Sequence, residues 1–188
     1  MKKELVLFAF LFIFSIVKAQ DYNKLSSEQA EEIISTHRNL TEGLPIGNNF
    51  PEFDYVDLEG NKLEFSELKE KVIVLNTWFV GCTGCKQEEE NLKKLTKELK
   101  DHKDIVFLSF AMSSPQKIER YFSKNGDFGY KTASVERKWV NENFKIEISP
   151  THYIIKDGIL VELISMPIFS PEILYWYKNR ILEFASDS

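Results

Sequence analysis

The chain has 188 residues, of which 43% are hydrophobic and 28% charged, so it is long enough for one domain with a proper core. Its 24 Lys and Arg against 29 Asp and Glu give a net charge of −5. An acidic surface without a basic cluster argues against nucleic acid as a partner.

The first nineteen residues are typical of a signal peptide. Two lysines near the start precede an apolar run of about thirteen residues, shorter than the roughly 20 that a spanning helix needs. Val17-Lys18-Ala19 then offers small enough residues at the −3 and −1 positions of a cleavage site. We therefore predict that residues 1–19 are removed and that the protein is periplasmic or secreted. An uncleaved N-terminal membrane anchor is the alternative.

Residues 20–45 are interpreted as a peripheral segment leading to the main domain. A helix is predicted from Ser26 to about Arg38, with Ile33 and Ile34 as its only strong apolar anchors. No strict capping box is expected at its start, because Glu28 follows Ser26 by two residues instead of three.

Predicted strands and helices alternate through the main domain, residues 46–188. A hairpin at 53–65 and a helical turn at 66–68 come first, around the turn signal Glu59-Gly60-Asn61. The β-branched run at 72–79 is typical of a strand buried on both faces. After it we predict helices at 86–100, 115–124, 135–144 and 172–184, and strands at 105–111, 130–134, 151–155 and 159–164. This order implies an α/β fold with a central sheet covered on both faces, and the closing hairpin makes that sheet mixed.

The only two cysteines, Cys82 and Cys85, follow the buried strand and open a helix. The thiolate is the attacking form of cysteine, and a helix N-terminus carries about half a positive charge. We therefore expect this position to lower the pKa of Cys82. Cys85, one turn further, is close enough to attack the mixed disulfide that Cys82 forms with a substrate. Cys82 is thus the predicted nucleophile and Cys85 the resolving thiol.

Two other interpretations of the cysteine pair are weaker. A structural zinc site needs about two more ligands, and His37, His102 and His152 are scattered singly, so no metal is predicted. An inert structural disulfide across so short a loop removes little entropy from the unfolded chain. We interpret His152 as a strand residue instead of a catalyst, because C-x-x-C exchange does not require a histidine.

Several short motifs accompany the cysteine pair. They are Gly47, Pro51, Phe53, Asp57, Gly60, the run Leu68 to Trp78, Glu88, Leu92, Ser149-Pro150-Thr151 and Asp157-Gly158. With Cys82-Thr83-Gly84-Cys85, they make residues 47–165 resemble the TlpA/ResA-type branch of thioredoxin-like proteins, which is related to the AhpC/TSA redoxins and acts on disulfides outside the cytoplasm. The resemblance implies a thioredoxin-like three-layer fold with an N-terminal β-hairpin extension.

The resemblance also implies a substrate-binding surface formed by Ser149, Pro150, Trp78 and Gly81. Pro150 would be a cis-proline facing the disulfide, which leaves the backbone of Ser149 open to pair with an extended substrate strand. Trp78 would pack beneath the active site. Gly81 stands where the family usually has Trp, so the disulfide is expected to be exposed differently.

Glu88 matches the acidic residue that this branch keeps near its cysteines, where it can assist proton transfer to or from Cys85. Asn76 occupies the place where thioredoxin itself has a buried Asp. The next two carboxylates, Glu89 and Glu90, are interpreted as a solvated helix face.

Together these features predict a thiol–disulfide oxidoreductase that acts on protein or peptide disulfides in the cell envelope. The resemblance favours a reductase that receives electrons from a membrane-embedded donor, with no dissolved cofactor and no metal. The alternatives are a non-catalytic thioredoxin-like binding module and an oxidant that introduces disulfides, since the Thr83-Gly84 dipeptide leaves the reduction potential open. A peroxidase of the peroxiredoxin class is disfavoured because no P-x-x-x-T-x-x-C run is present.

Overall fold

The structure is a computed structural model that describes residues 25–40 and 43–186. The predicted signal peptide, 1–19, and its cleavage site lie outside the described residues. None of the helices in the described part of the chain combines the length and apolarity that crossing a membrane requires.

In the described part of the chain, five helices and seven strands follow each other in the predicted order. The helices are α1 (Ser27–Leu40), α2 (Thr83–Leu99), α3 (Pro115–Asn125), α4 (Arg137–Phe144) and α5 (Pro171–Ser186). The strands are β1 (Asp54–Val56), β2 (Lys62–Glu64), β3 (Val72–Trp78), β4 (Ile105–Ala111), β5 (Lys131–Ser134), β6 (Thr151–Lys156) and β7 (Ile159–Ile164). A 3-10 turn, Phe65–Leu68, connects the β1–β2 hairpin to β3.

The central sheet has five strands in the order β5-β4-β3-β6-β7. β3 pairs in parallel with β4, and β4 with β5, whereas β6 is antiparallel to β3 and to β7. All seven residues of β3 are buried, as its apolar sequence predicts. The prediction of a mixed sheet preceded by a separate hairpin is therefore confirmed.

Two hydrophobic clusters fill the space on either side of the sheet, because successive side chains of a strand point to opposite faces. Val72 and Val74 of β3 face the cluster built with α1, α2, α3 and α5. Ile73 and Leu75 face the second cluster, which the hairpin, the 3-10 turn and α4 complete. The result is the predicted three-layer arrangement, with β3 at its centre.

The N-terminal helix differs from the prediction at its start. Ser26 Oγ accepts a hydrogen bond from the N–H of Gln29 at 3.2 Å, and Gln29 Oε1 accepts one from the N–H of Ser26 at 2.8 Å. These reciprocal bonds form a capping box with Gln in the third position, so the expectation that none is present is wrong.

Helix α1 packs against α5 and β7. Ala30 and Ile34 are buried in the core. Arg38 Nη2 lies 2.7 Å from Glu162 Oε1 of β7, and Arg180 of α5 lies 3.2 Å from the other oxygen of the same buried carboxylate. One carboxylate thus connects the N-terminal and C-terminal helices to an edge strand. The domain boundaries at 19/20 and 45/46 stay predictions.

Candidate redox site

Cys82 and Cys85 form a disulfide at the junction of β3 and α2. Cys82 is the N-cap of α2, and its Sγ accepts a hydrogen bond from the N–H of Cys85 at 3.1 Å. The helix therefore begins three residues earlier than predicted and includes Cys85. An N-cap sulfur is directed at the positive end of the helix, which favours a thiolate there once the disulfide is reduced.

The Ser149–Pro150 peptide bond is cis and lies against the disulfide. Cys82 Sγ is 3.6 Å from the carbonyl oxygen of Ser149. The approach is close enough that a Cβ added to Gly84 would lie 3.1 Å from Pro150 Cδ and 3.0 Å from Pro167 Cγ. A residue as small as glycine between the two cysteines therefore lets α2 approach the proline loop.

We call the exposed residues Gly81 and Ile148, the sequence neighbours of Cys82 and Ser149, the rim of the site; the two cysteines themselves are each only 7% exposed. Gly81 is exposed with φ at +97°, and Ile148, two residues before Pro150, is 51% exposed. The guanidinium of Arg137 lies 4.4 Å from the ring centroid of Phe79, which is half-buried. Because side chains other than glycine are strained at the φ of Gly81, the Trp that is usual at this position in the family would not fit this backbone without rearrangement.

Trp78 lies beneath the site and is only 2% exposed. Its ring packs against Phe122 of α3 and against Phe128, and its Nε1 donates a hydrogen bond to Ser109 Oγ at 3.3 Å. The Trp78 side chain is therefore buried under α3 and does not reach the substrate-binding surface. The expectation that Trp78 belongs to that surface is corrected.

Glu88 is buried, and it contacts three elements. Its Oε2 lies 2.9 Å from His152 Nε2 and accepts a hydrogen bond from the N–H of Ile168, also at 2.9 Å. The amide of Asn76 is 3.5 Å from Oε1. Since Cys85 precedes Glu88 by three residues on α2, both side chains lie on the same helix face. The carboxyl group is thus held beneath the resolving cysteine, where a proton acceptor is useful.

The pairing of His152 with Glu88 is not predicted by the sequence pattern. His152 does belong to a strand, as interpreted, and it faces Asn76 across the β3–β6 register. Its Nδ1 lies 3.2 Å from Asn76 Nδ2. The contact of Asn76 with His152 depends on the β3–β6 register, for which the sequence carries no local signal.

The interpretation of Glu89 as a solvated side chain is wrong. Glu89 is 4% exposed and forms an ion pair with Lys86 at 2.6 Å. Lys86 also donates to the side chain of Asn125 at the end of α3. Glu90 is exposed, as expected.

Within residues 25–40 and 43–186, no group of three or more His, Cys, Asp or Glu side chains is placed to hold a metal ion.

Comparison with known proteins agrees with this geometry. A model of the AhpC/TSA family matches residues 46–163. The thioredoxin-like protein YneN of Bacillus subtilis is 26% identical over 133 residues, covering 70% of this chain and 78% of YneN. The thiol-disulfide oxidoreductase ResA of Bacillus cereus is 29% identical over 124 residues, covering 65% of this chain and 71% of ResA.

Solved structures share the fold at lower sequence identity. A putative protein disulfide isomerase from Bacteroides thetaiotaomicron superposes with a TM-score of 0.67 at 18% identity, over 78% of this chain and 94% of that one. A putative thiol:disulfide interchange protein DsbE from Chlorobium tepidum gives 0.66 at 15% identity, over 76% and 99% of the two chains. The three-layer architecture is therefore that of the thioredoxin-like fold.

Proposed function

The chain belongs to the AhpC/TSA family, in its TlpA/ResA-type branch, and we propose that it reduces protein disulfides in the cell envelope. It is a thiol–disulfide oxidoreductase with a C-x-x-C pair. The observation that carries the proposal is the placement of the Cys82–Cys85 disulfide at the N-terminus of α2, against the cis Ser149–Pro150 bond.

In the proposed reaction the reduced Cys82 thiolate attacks one sulfur of a substrate disulfide. The substrate S–S bond breaks, and a mixed disulfide forms between Cys82 and the substrate. Cys85 then loses its proton and attacks Cys82 Sγ, which releases the second substrate thiol and restores the intramolecular disulfide. Two electrons pass to the substrate in each turnover. Glu88 is the proposed proton acceptor for Cys85, by its place on the same face of α2.

The backbone of Ser149 and Pro150, with Gly81 on the opposite side, is the proposed binding surface for an extended substrate segment. Support comes from the 3.6 Å separation of Ser149 O and Cys82 Sγ, which brings a bound strand close to the reacting sulfur. The exposed side chain of Ile148 adds an apolar contact at the same rim.

The envelope location and the electron source belong to the same proposal. The apolar, lysine-led start of the sequence supports export through a signal peptide. Each turnover leaves the enzyme oxidised, so an exported reductase needs two electrons from a donor that spans the membrane. Such a donor would dock at the same rim as the substrate, because both must reach Cys82.

Catalysed reduction of insulin by dithiothreitol tests the activity. We expect the wild-type protein to accelerate precipitation of the insulin B chain, and both Cys82→Ser and Cys85→Ser to abolish that acceleration. The two variants are a matched pair, because each lacks one of the two thiols. Only Cys85→Ser keeps the attacking Cys82, so only this variant should accumulate a mixed disulfide, at Cys82. A wild-type protein that binds insulin without accelerating its reduction would establish the binding module instead.

A further inference from the structure

The buried pair formed by Glu88 and His152 lies directly behind the cysteine pair. Their side chains are 1% and 0% exposed, and the two interacting atoms are 2.9 Å apart. Charges buried away from water are retained only where a partner and further hydrogen bonds compensate them. A histidine facing a carboxylate in such a site is therefore an acid–base pair screened from solvent.

The hydrogen bonds define how the pair holds protons. Asn76 Nδ2 donates to His152 Nδ1, which leaves the imidazole proton on Nε2, directed at Glu88. In this arrangement the imidazole is neutral, and Asn76 Oδ1 is buried without a hydrogen-bond partner. Rotating the amide by half a turn brings Oδ1 to Nδ1, where it accepts a hydrogen bond from Nδ1–H, either of the second neutral tautomer, whose Nε2 is free to take a proton, or of the imidazolium. The site thus accommodates both protonation states of His152.

The other titratable groups around the pair stay neutral. Burial, followed by the charge of Glu88, raises the pKa of Tyr130. Burial raises the pKa of Tyr177, and the effects of Tyr130, Glu88 and the more distant Glu162 act in the same direction. The Tyr177 ring of α5 lies 5.4 Å from the His152 ring. These phenols remain protonated, so they do not compete for a proton at neutral pH.

We propose that His152 is a positioning residue for the redox reaction: paired with Glu88, it holds the proton that Cys85 releases when it resolves the mixed disulfide. The inference rests on the proposed function. The Cys85 S–H bond breaks, and its proton passes to Glu88 and from there to Nε2 of His152, which is unprotonated in the tautomer whose Nδ1–H donates to Asn76 Oδ1. The thiolate forms the S–S bond with Cys82, and the bond between Cys82 and the substrate sulfur breaks. The leaving substrate thiolate takes a proton from solvent, and the pair returns its own proton to solvent afterwards.

The backbone N–H of Ile168 explains why a carboxyl group paired with an imidazole is a better proton acceptor than a carboxyl group alone. It donates to the same Oε2 that faces His152, and it binds an ionised carboxylate more strongly than a protonated one. When the proton moves on to His152, Glu88 remains ionised and keeps this bond. Without the imidazole, Glu88 must keep the proton itself and weaken the bond. His152 therefore takes over the proton that Glu88 passes on from Cys85, and the N–H of Ile168 keeps an ionised partner.

The pair also connects the two halves of the site. His152 follows Pro150 by two residues at the start of β6, whereas Glu88 follows Cys85 by three on α2. The pair of Glu88 and His152 is therefore held by β6, which follows Pro150, and by α2, which contains Cys85.

The rate at which Cys85 resolves a mixed disulfide tests the inference. Reduced protein is mixed with increasing glutathione disulfide from pH 5 to pH 9, and the plateau rate of release of the second glutathione reports resolution. Imidazole side chains change charge between pH 5 and pH 8. We expect an inflection in that range for the wild type, and for His152→Gln a plateau at least tenfold lower at pH 7 without the inflection.

His152→Gln is chosen because it keeps an N–H donor for Glu88 but cannot take up a proton. If the pair were only structural, this variant would keep the wild-type plateau and pH profile, and the inference would be overturned. The attack of Cys82 itself, measured in the Cys85→Ser background, should be unchanged by His152→Gln. A wild-type protein that releases no second glutathione contradicts the proposed function instead.

A second measurement needs no folded variant. The chain has three histidines, His37, His102 and His152, so imidazole ¹⁵N resonances of the reduced wild-type protein can be followed individually with pH. We expect the resonance of the buried histidine to report uptake of a proton between pH 5 and pH 9. A buried imidazole that keeps one protonation state over this whole range overturns the inference.

Discussion

Gly129 is the position where the structure makes the sharpest prediction about stability. Its φ is +76°, and a Cβ built there would lie 2.5 Å from Thr96 Oγ1 and 2.9 Å from Thr96 Cβ. Gly60 is a matched control, because its φ is +86° and a Cβ would meet nothing within 4 Å. Gly129→Ala therefore combines backbone strain with a collision, whereas Gly60→Ala introduces strain alone.

The two substitutions should differ by an amount that the contacts define. Strain from positive φ costs about 1–2 kcal/mol at either site. At Gly129 the collision adds about 1–3 kcal/mol of overpacking. It also disturbs the hydrogen bond from Thr96 Oγ1 to the carbonyl oxygen of Phe128, a 2.8 Å contact whose loss costs about 0.5–1.5 kcal/mol. We expect Gly129→Ala to lower the free energy of unfolding by about 1.5–4.5 kcal/mol more than Gly60→Ala.

Urea denaturation of both variants measures this difference, and the slope with urea shows whether unfolding stays two-state. The Thr96→Ala background provides a double-mutant cycle, in which part of the penalty of Gly129→Ala should disappear because Oγ1 and Cγ2 are absent. Equal losses for Gly129→Ala and Gly60→Ala would refute the steric argument.

Three further predictions follow from single contacts. Although burial acts to raise the pKa of Asp57, hydrogen bonds within the β1–β2 turn outweigh it and hold that pKa below its ordinary value. The carboxylate thus stabilises the fold above its unfolded-state pKa and loses this contribution as the pH falls through its folded-state pKa. Asp57→Asn should lower the free energy of unfolding at pH 7 but not at pH 2, and an equal loss at both would contradict the assignment. Arg38→Met should weaken the attachment of α1 by about 1.5–3 kcal/mol, the range for hydrogen bonds to a charged group, because Glu162 keeps its second arginine partner; hydrogen exchange in α1 should accelerate, and unchanged exchange would oppose this. In the reduced protein at pH 6, iodoacetamide should modify Cys82 before Cys85, because Cys82 is the N-cap of α2; peptide mass spectrometry decides, and the reverse order would contradict the roles assigned to the pair.

Strands with strong local patterns were predicted accurately. The limits of β4 and β7 agree with the prediction, since each is a mostly apolar run with one polar residue, Ser109 or Glu162. The start of α2 was placed too late, because Cys, Thr and Gly are poor helix formers in a helix interior although they are suited to its first turn.

The parts of the site that depend on tertiary contacts could not be predicted from local pattern. Glu89 has the sequence context of a solvated helix residue, and its burial depends on tertiary packing around α2. His152 and Glu88 are 64 residues apart, and their contact requires the β3–β6 register and the approach of α2 together. Neither condition is visible in helical or strand periodicity.

The reduction potential of the Cys82–Cys85 pair, measured by equilibration with dithiothreitol or glutathione buffers, tests the central claim most directly. We expect a value near that of thioredoxin, about −270 mV, as suits a reductase supplied by a membrane donor. A value near −120 mV would contradict the reductase and identify an oxidant that introduces disulfides. A pair that resists reduction far below this range would be a structural disulfide, and the proposed enzyme function would be wrong.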